Sequence, residues 1–371
     1  MQYLFPEQVA ALTTAHERFA SGRPGGARMI LRFTDLKRAM FQSRLLTDVD
    51  LTGSDLSGAR MATARMERAS FYCCRLQEAD LRGANCSLAD FRGASLKGAS
   101  LYAAVLDQAD LRDARLARVD AEGRFNLESV HSGRPTDTPE ADGSIRRGVD
   151  FRNASMKRVR LCGARLKGAD FSGANLAGAS LKGAHLPGAI FQDVILTGVD
   201  LEGVRLDDGA LATCVLDPTR AAFDRADALR DTLIEAELWA TSGGKLGRAA
   251  DLTGADLRVI PLDLKNRKLP GLCAIETCAI DMDFSNTVLA GAVFREADLR
   301  GAIFDRCDLR GASFQNCKLA FSSFIGADLG SLTLGGGRHL KPDFGGASLE
   351  GAVFDPTQSA RVSAPEECVL V

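Results

Sequence analysis

The sequence predicts an all-β solenoid, a four-sided coil, and three observations predict it. A large apolar residue recurs at every fifth position, a small residue stands two positions before it, and phenylalanines repeat at intervals of 20. A period of five matches neither the 3.6 of a helix nor the 2.0 of a strand, so each repeat is a short extended piece followed by a turn. The large residue, here called the centre, runs from Leu36 and Phe41 to Leu116, from Phe151 to Leu216, and from Phe284 to Leu329, and resumes at Phe344, Leu349 and Phe354. The small residue is typically alanine, as at Ala59, Ala64, Ala79 and Ala84. Centre and small residue are two apart, so both point to one face of an extended segment and share a narrow interior. Gly, Asp and Asn near the corners suit the turns.

Phenylalanine spacing sets the length of a circuit. Phe71 and Phe91 are 20 apart, as are Phe151, Phe171 and Phe191. Phe284, Phe304, Phe324 and Phe344 are also 20 apart and are expected to form one interior column. Phe294 and Phe314 lie 10 out of phase, and Phe354 is expected to continue their column on the opposite side. Four repeats then make one circuit, rising about 4.8 Å, the spacing of paired strands. This pattern resembles the pentapeptide-repeat family, over roughly three quarters of the chain. The resemblance implies a right-handed quadrilateral β-helix.

The coils are expected over residues 29–121 and 149–216, with a second module over 249–357. Residues 1–28 read as a capping helix and turn: Pro6 suits a first helical turn, and Val9, Leu12, His16 and Phe19 form a stripe. Residues 122–148, rich in Pro, Gly, Ser and charge, read as a loop insertion that either leaves one coil and returns or separates two. Residues 217–248 read as a second capping helix and linker. Asp217 and Pro218 would begin it, Phe223, Ala226, Leu229, Leu233 and Ala236 would form its apolar stripe, and Trp239 would lie near its end. A coil end exposes unpaired backbone and apolar interior, which such a helix would hide. Leu252 and Leu257 sit two residues out of register with Leu264, which predicts a bulge near Val259, Ile260 and Pro261. Residues 331–342 read as a small loop, and 358–371 as a C-terminal tail in which Val369, Leu370 and Val371 could pair.

Composition narrows the function classes. The chain has 46 basic and 48 acidic residues, without the basic footprint of a nucleic-acid binder. Blocks 29–121, 149–216 and 249–357 hold 14 and 12, 8 and 7, and 11 and 14 basic and acidic residues. No apolar run reaches the length of a membrane span, and the N-terminus lacks the form of a signal peptide. A cytoplasmic location is the expectation. Ten cysteines in 371 residues are not a disulfide framework. Cys74, Cys86, Cys214, Cys307 and Cys317 fall at interior positions, while Cys73, Cys162, Cys273 and Cys278 should point outward. A metal site at the last pair lacks further ligands at suitable spacing.

No phosphate-loop, zinc-protease or nucleophile-elbow pattern is present. Gly243, Gly244 and Lys245 read as a helix stop. His16 reads as part of a cap surface, and His131 and His339 fall in loops. Aspartates precede many centres and arginines follow them, as at Asp90 and Arg92 or Asp110 and Arg112, so both are expected to face solvent as mixed-charge ladders.

The reading is a non-catalytic scaffold or adaptor that binds another protein through its walls, cap helices or the 122–148 loop, with no cofactor and no metal. Ile190, Ile195, Val288, Val293 and Ile303 are candidate contact residues, and homodimerisation stays open. The resemblance supplies an alternative, since quinolone-resistance members are dimeric acidic rods that imitate DNA and bind gyrase. Mimicry needs negative charge with little positive charge between, and Arg295, Arg300, Arg306 and Arg310 interrupt the most acidic block. An enzyme or metal site in the loops is the second alternative.

Overall fold

In the computed structural model the described residues are 2–112, 114, 149–164, 166–261, 264–355, 369 and 370. The chain divides into unit 1, Met1–Asp217, and unit 2, Pro218–Val371. The expected 122–148 loop lies outside the described residues.

Unit 1 begins with β1 (Gln2–Tyr3) and α1 (Pro6–Ala20), followed by β2 (Thr34–Asp35), which pairs in parallel with β1. From Ile30 onward the backbone forms single parallel bridges between residues 20 apart, on four successive ladders. The first ladder carries Ile30, Asp50, Ser70 and Asp90, the second Asp35, Asp55, Arg75 and Ser95. The third starts at Met40 and the fourth at Leu45.

The repeat Leu56–Arg60 shows why five residues suffice. The N–H of Leu56 donates to Arg75 O at 2.7 Å and that of Gly58 to Gln77 O at 2.8 Å, both one circuit on. The N–H of Arg60 donates to Ala39 O at 2.9 Å, one circuit back, and that of Ala59 closes the corner onto Leu56 O at 2.9 Å. The fifth N–H, of Ser57, donates to the side-chain Oδ1 of Asp55 at 3.1 Å. Every backbone donor of the repeat is thus satisfied, as burial demands. The centres and small residues line one continuous apolar core from Met29 to Leu196.

The coil of unit 1 resumes at Asp150 on the third ladder, in register with the circuits before it. Asp90 pairs with Asp110, then Ser100 with Asp150, Val105 with Ser155 and Asp110 with Arg160. Residues 50 apart therefore meet as neighbours 20 apart do elsewhere. Of the two arrangements open in the sequence, one coil interrupted by a detour is the one observed.

Unit 2 opens with α2 (Arg220–Asp224) and α3 (Ala226–Thr241). Its first circuit bridges Asp251 to Cys273 and Asp256 to Cys278, 22 residues apart, and the two extra residues fall beside a 3-10 turn at Leu257–Val259. Later circuits repeat at 20, from Lys268 and Val288 onward. The last circuit holds a ten-residue excursion: Ser313 pairs with Asp343, Lys318 with Ser348 and Ser323 with Val353. The excursion is an antiparallel hairpin of β3 (Leu332–Thr333) and β4 (His339–Leu340) around a 3-10 turn at Gly335–Gly337. It lies against the corner at Gly311, where φ is +64° and a Cβ would stand 2.8 Å from the Leu332 Cβ and 3.0 Å from that of Leu340. Only glycine meets both demands there. Finally β5 (Val353–Phe354) pairs in parallel with β6 (Val369–Leu370).

This hairpin corrects the expected phenylalanine columns. Ten extra residues are half a circuit, so Phe354 stacks on Phe324 at 4.8 Å and Phe344 on Phe314 at 4.9 Å. The observed columns are Phe284, Phe304, Phe324, Phe354 and Phe294, Phe314, Phe344, which meet each other edge to face. In unit 1, Phe71 stacks on Phe91 at 4.6 Å, Phe151 on Phe171 at 5.1 Å, and Phe171 on Phe191 at 5.2 Å.

The helices also depart from expectation. On α1 the buried residues are Thr13 and His16, while Phe19 is 45% exposed. In the second segment, Thr219 and not Asp217 caps α2, its hydroxyl accepting the Ala222 N–H. Asp217 accepts the Gly198 N–H instead. A break at Arg225 separates α2 from α3, which turns Phe223 out to 57% exposure while Leu233 is fully buried on α3. Trp239 is half-buried.

Candidate interaction surface

The surface of each coil is made by the residue before the centre and the two residues after it. Asp80, Asp90, Asp110, Asp150, Asp298 and Asp308 each accept the backbone N–H two residues on, closing an Asx turn at the corner. The arginine two positions later folds back onto the same carboxylate. Arg82 Nε and Nη2 both reach Asp80 at 2.8 Å, and Arg310 reaches Asp308 at 2.8 and 2.7 Å. These guanidinium contacts hold Asp80 and Asp308 below the usual carboxylate range. The expected mixed-charge ladders are present, with Arg92 3.9 Å from Asp110 and Arg152 3.8 Å from Asp170 one circuit on, but the shorter pairing lies within one repeat. The spacing Asp-x-Arg across a centre was visible in the sequence, but a turn-closing role looks the same there as a solvated one.

Two tyrosines add to these surfaces. The guanidinium of Arg92 lies 5.3 Å from the Tyr72 ring centroid, and that of Arg152 lies 5.7 Å from Tyr102. Such placement is attractive through the ring quadrupole. Of the apolar candidates, Ile190 and Ile303 are exposed and Val288 and Val293 are half-buried. Ile195 is fully buried, contrary to expectation, on a bridged position between Asn175 and Val215.

His16 has a larger structural part than its sequence position suggests. It is fully buried, its Nδ1 accepts the Met29 N–H at 3.0 Å, and its Nε2 donates to Thr47 O at 2.9 Å. Next to it Glu17 takes Arg44 Nε and Nη2 at 2.7 and 2.8 Å. The two side chains fasten α1 to the first circuit. A ring whose Nδ1 accepts a backbone donor is neutral. Burial lowers its pKa, Arg28 adds to this, and Thr47, Asp48 and Glu17 oppose it. An unfolded histidine titrates near pH 6.5. The stability that the neutral ring contributes is thus complete above about pH 6.5 and declines as the pH falls below it. Carboxylates titrate lower, near pH 4. Melting temperature is expected to fall between about pH 6.5 and pH 5 in the native chain and to be flat there in His16→Gln.

The cysteines divide by depth. Cys74, Cys307 and Cys317 donate Sγ–H to the centre carbonyls of Leu51, Phe284 and Phe294 at 2.8–2.9 Å, and Cys86 is fully buried. Burial pushes the thiols of Cys74, Cys307 and Cys317 up to about 12. Cys214 is half-buried, as are Cys162, Cys273 and Cys278, while Cys73 is exposed. Cys273 contacts Thr253, and the described residues hold no cluster suited to a metal ion. Since the thiolate is the reactive form, a thiol reagent on the native protein is expected to label Cys73 and spare Cys74, Cys307 and Cys317. Mass spectrometry of labelled peptides checks this, and early labelling of Cys307 would contradict it. His339 meets Thr333 within the hairpin, and His185 is exposed on the second ladder position of unit 1. His131 lies outside the described residues.

Among the described residues no helix is long and apolar enough to cross a membrane. No curated protein matches the chain. The crystal structure of HetL, a pentapeptide repeat protein involved in heterocyst differentiation regulation from the cyanobacterium Nostoc sp. strain PCC 7120, is 20% identical over 91% of this chain and 94% of its own, with a TM-score of 0.22. Full-length QnrB1, a plasmid-mediated fluoroquinolone resistance protein, is 20% identical over 53% of this chain and 94% of its own, with a TM-score of 0.22. A pentapeptide repeat protein of the Arabidopsis thaliana thylakoid lumen is 16% identical over 54% and 77%, with a TM-score of 0.16. The family description "Pentapeptide repeats" matches in eight copies, among them residues 45–83, 84–120, 147–183, 169–208, 280–316 and 294–330. With just over half of the sequence so matched, on the same five-residue unit that closes each corner, the chain belongs to the pentapeptide-repeat family.

Proposed function

We propose that this protein is a non-catalytic scaffold whose coils, right-handed and four-sided with helices capping their starts, hold a protein partner against one wall. The observation that carries this reading is the stack of Arg152 on Tyr102, flanked by Arg82 and Asp80 on the same ladder. Tyrosine and arginine are enriched where protein partners bind tightly, and a rigid wall loses little freedom on binding. Its nine described cysteines are all free, which suits a reducing cytoplasm. Affinity capture with the full chain should recover a partner that a Tyr102→Ala/Arg152→Ala variant releases. Equal recovery by both, or none by either, would sink the reading. DNA mimicry is disfavoured because Asp–Arg pairs such as Asp80–Arg82 and Asp308–Arg310 cancel charge within the repeats that carry them. A gyrase supercoiling assay that showed inhibition would reverse that preference.

A further inference from the structure

Residues 149–216 look neutral in total, yet their charge is sorted along the coil axis. Residues 155–187 contain six basic side chains and one acidic, Asp170. Residues 188–217 contain six acidic and one basic, Arg205. The first ladder of unit 1 crosses this boundary. It carries Arg160, then Ser180, then Asp200 as successive bridged residues, with Cys162, Lys182 and Glu202 two places after each. Arg160, Lys182, Asp200 and Glu202 are all exposed. Lys182 and Glu202 enter no ion pair among the described residues.

The same surface is flat. At the circuits of Ser180 and Asp200 its corners are Gly183 and Gly203 on one edge and Gly178 and Gly198 on the other, so no side chain rises there, while one circuit earlier the second edge carries Arg158. A Cβ on Gly203 would meet nothing within 4 Å. A second flat surface can therefore approach closely enough for the charges to matter.

We propose that this face binds a second copy of the chain, side by side and antiparallel. The inference is independent of the partner-binding wall proposed above, which is a different ladder. A two-fold axis between the circuits of Ser180 and Asp200 would set Lys182 against the second copy's Asp200 and Glu202, and the reverse pairing follows by symmetry. A parallel arrangement in register would oppose like charges, which is unfavourable. The sorted charge thus selects both the partner and its direction.

Sedimentation of the full chain in low salt, about 0.02 M, and in high salt, about 0.5 M, tests this. A dimer is expected in low salt, with at least a tenfold weaker dimer constant in high salt. Lys182→Glu and the pair Asp200→Lys/Glu202→Lys should each be monomeric and keep the native circular dichroism. Mixing the two variants should restore a heterodimer, because the reversed charges again complement each other. A native chain that stays monomeric in low salt, a dimer indifferent to both reversals, or a mixture of folded variants that does not associate would each overturn the proposal.

Discussion

Phe304→Ala is expected to destabilise unit 2 by about 3–5 kcal/mol, the cost of a large aromatic-to-alanine truncation in a core that cannot collapse. The ring is fully buried, 4.9 Å from Phe284 and 5.2 Å from Phe324 in its own column. It also meets Phe294 at 5.6 Å and Phe314 at 5.4 Å edge on. Ladder bonds above and below hold the backbone at a fixed rise, so neighbouring side chains have no route into the void. Trp239, the chain's single tryptophan, lies on α3 within unit 2, and its fluorescence in a denaturant titration reports the loss. The core of unit 1 is a separate cluster and its unfolding should be unchanged. Phe344→Ala, at a half-buried ring near the end of the column, should cost less. A Phe304→Ala loss below about 1 kcal/mol would show that the columns are not close-packed.

Asp298→Ala is expected to cost about 3–5 kcal/mol, as does removal of one partner from a buried ion pair. The Arg300 side chain is only 5% exposed, and its Nε and Nη2 reach Asp298 at 2.8 and 2.5 Å. Alanine would take away the carboxylate that both Nε and Nη2 of this buried guanidinium reach and would also remove the acceptor of the Arg300 N–H. Asp298→Asn keeps an oxygen for that N–H and loses the charge, so its cost should lie between alanine and native. Asp80→Ala is the control, since the Arg82 side chain is 61% exposed and can return to water. Its expected cost is about 1 kcal/mol, mostly the lost turn bond. Equal losses at the two sites, read from denaturant midpoints, would mean that burial of Arg300 has no energetic consequence.

Much of the fold was legible because a five-residue period leaves few alternatives. The interior assignments of Phe41, Phe71, Leu101 and Phe151 needed only the side-chain alternation of an extended segment, and all four are fully buried. Counting by 20 failed where the chain made a detour. Ten residues at the hairpin are half a circuit, so Phe344 and Phe354 kept a regular spacing while exchanging columns. The helices were less legible for a different reason. An apolar stripe names Phe19 and Phe223, whereas the side chains that fasten α1 are His16 and Glu17, joined to carbonyl, amide and guanidinium partners. Hydropathy gives no sign of such contacts. Of the interaction surface, the residues were visible but their coupling was not: Asp80 and Arg82 read as two exposed charges and form one closed corner.

The coil matches positions and is indifferent to how much chain lies between them. Neighbouring rungs are separated by 20 residues in most places, by 22 at the start of unit 2, by 30 around the hairpin and by 50 at the insertion. The hairpin lies between Asp328 and Asp343, and the rungs on either side of it stay intact. Residues 331–341 are therefore a natural graft site, where a foreign peptide of arbitrary length could be displayed at a known height on a stiff post.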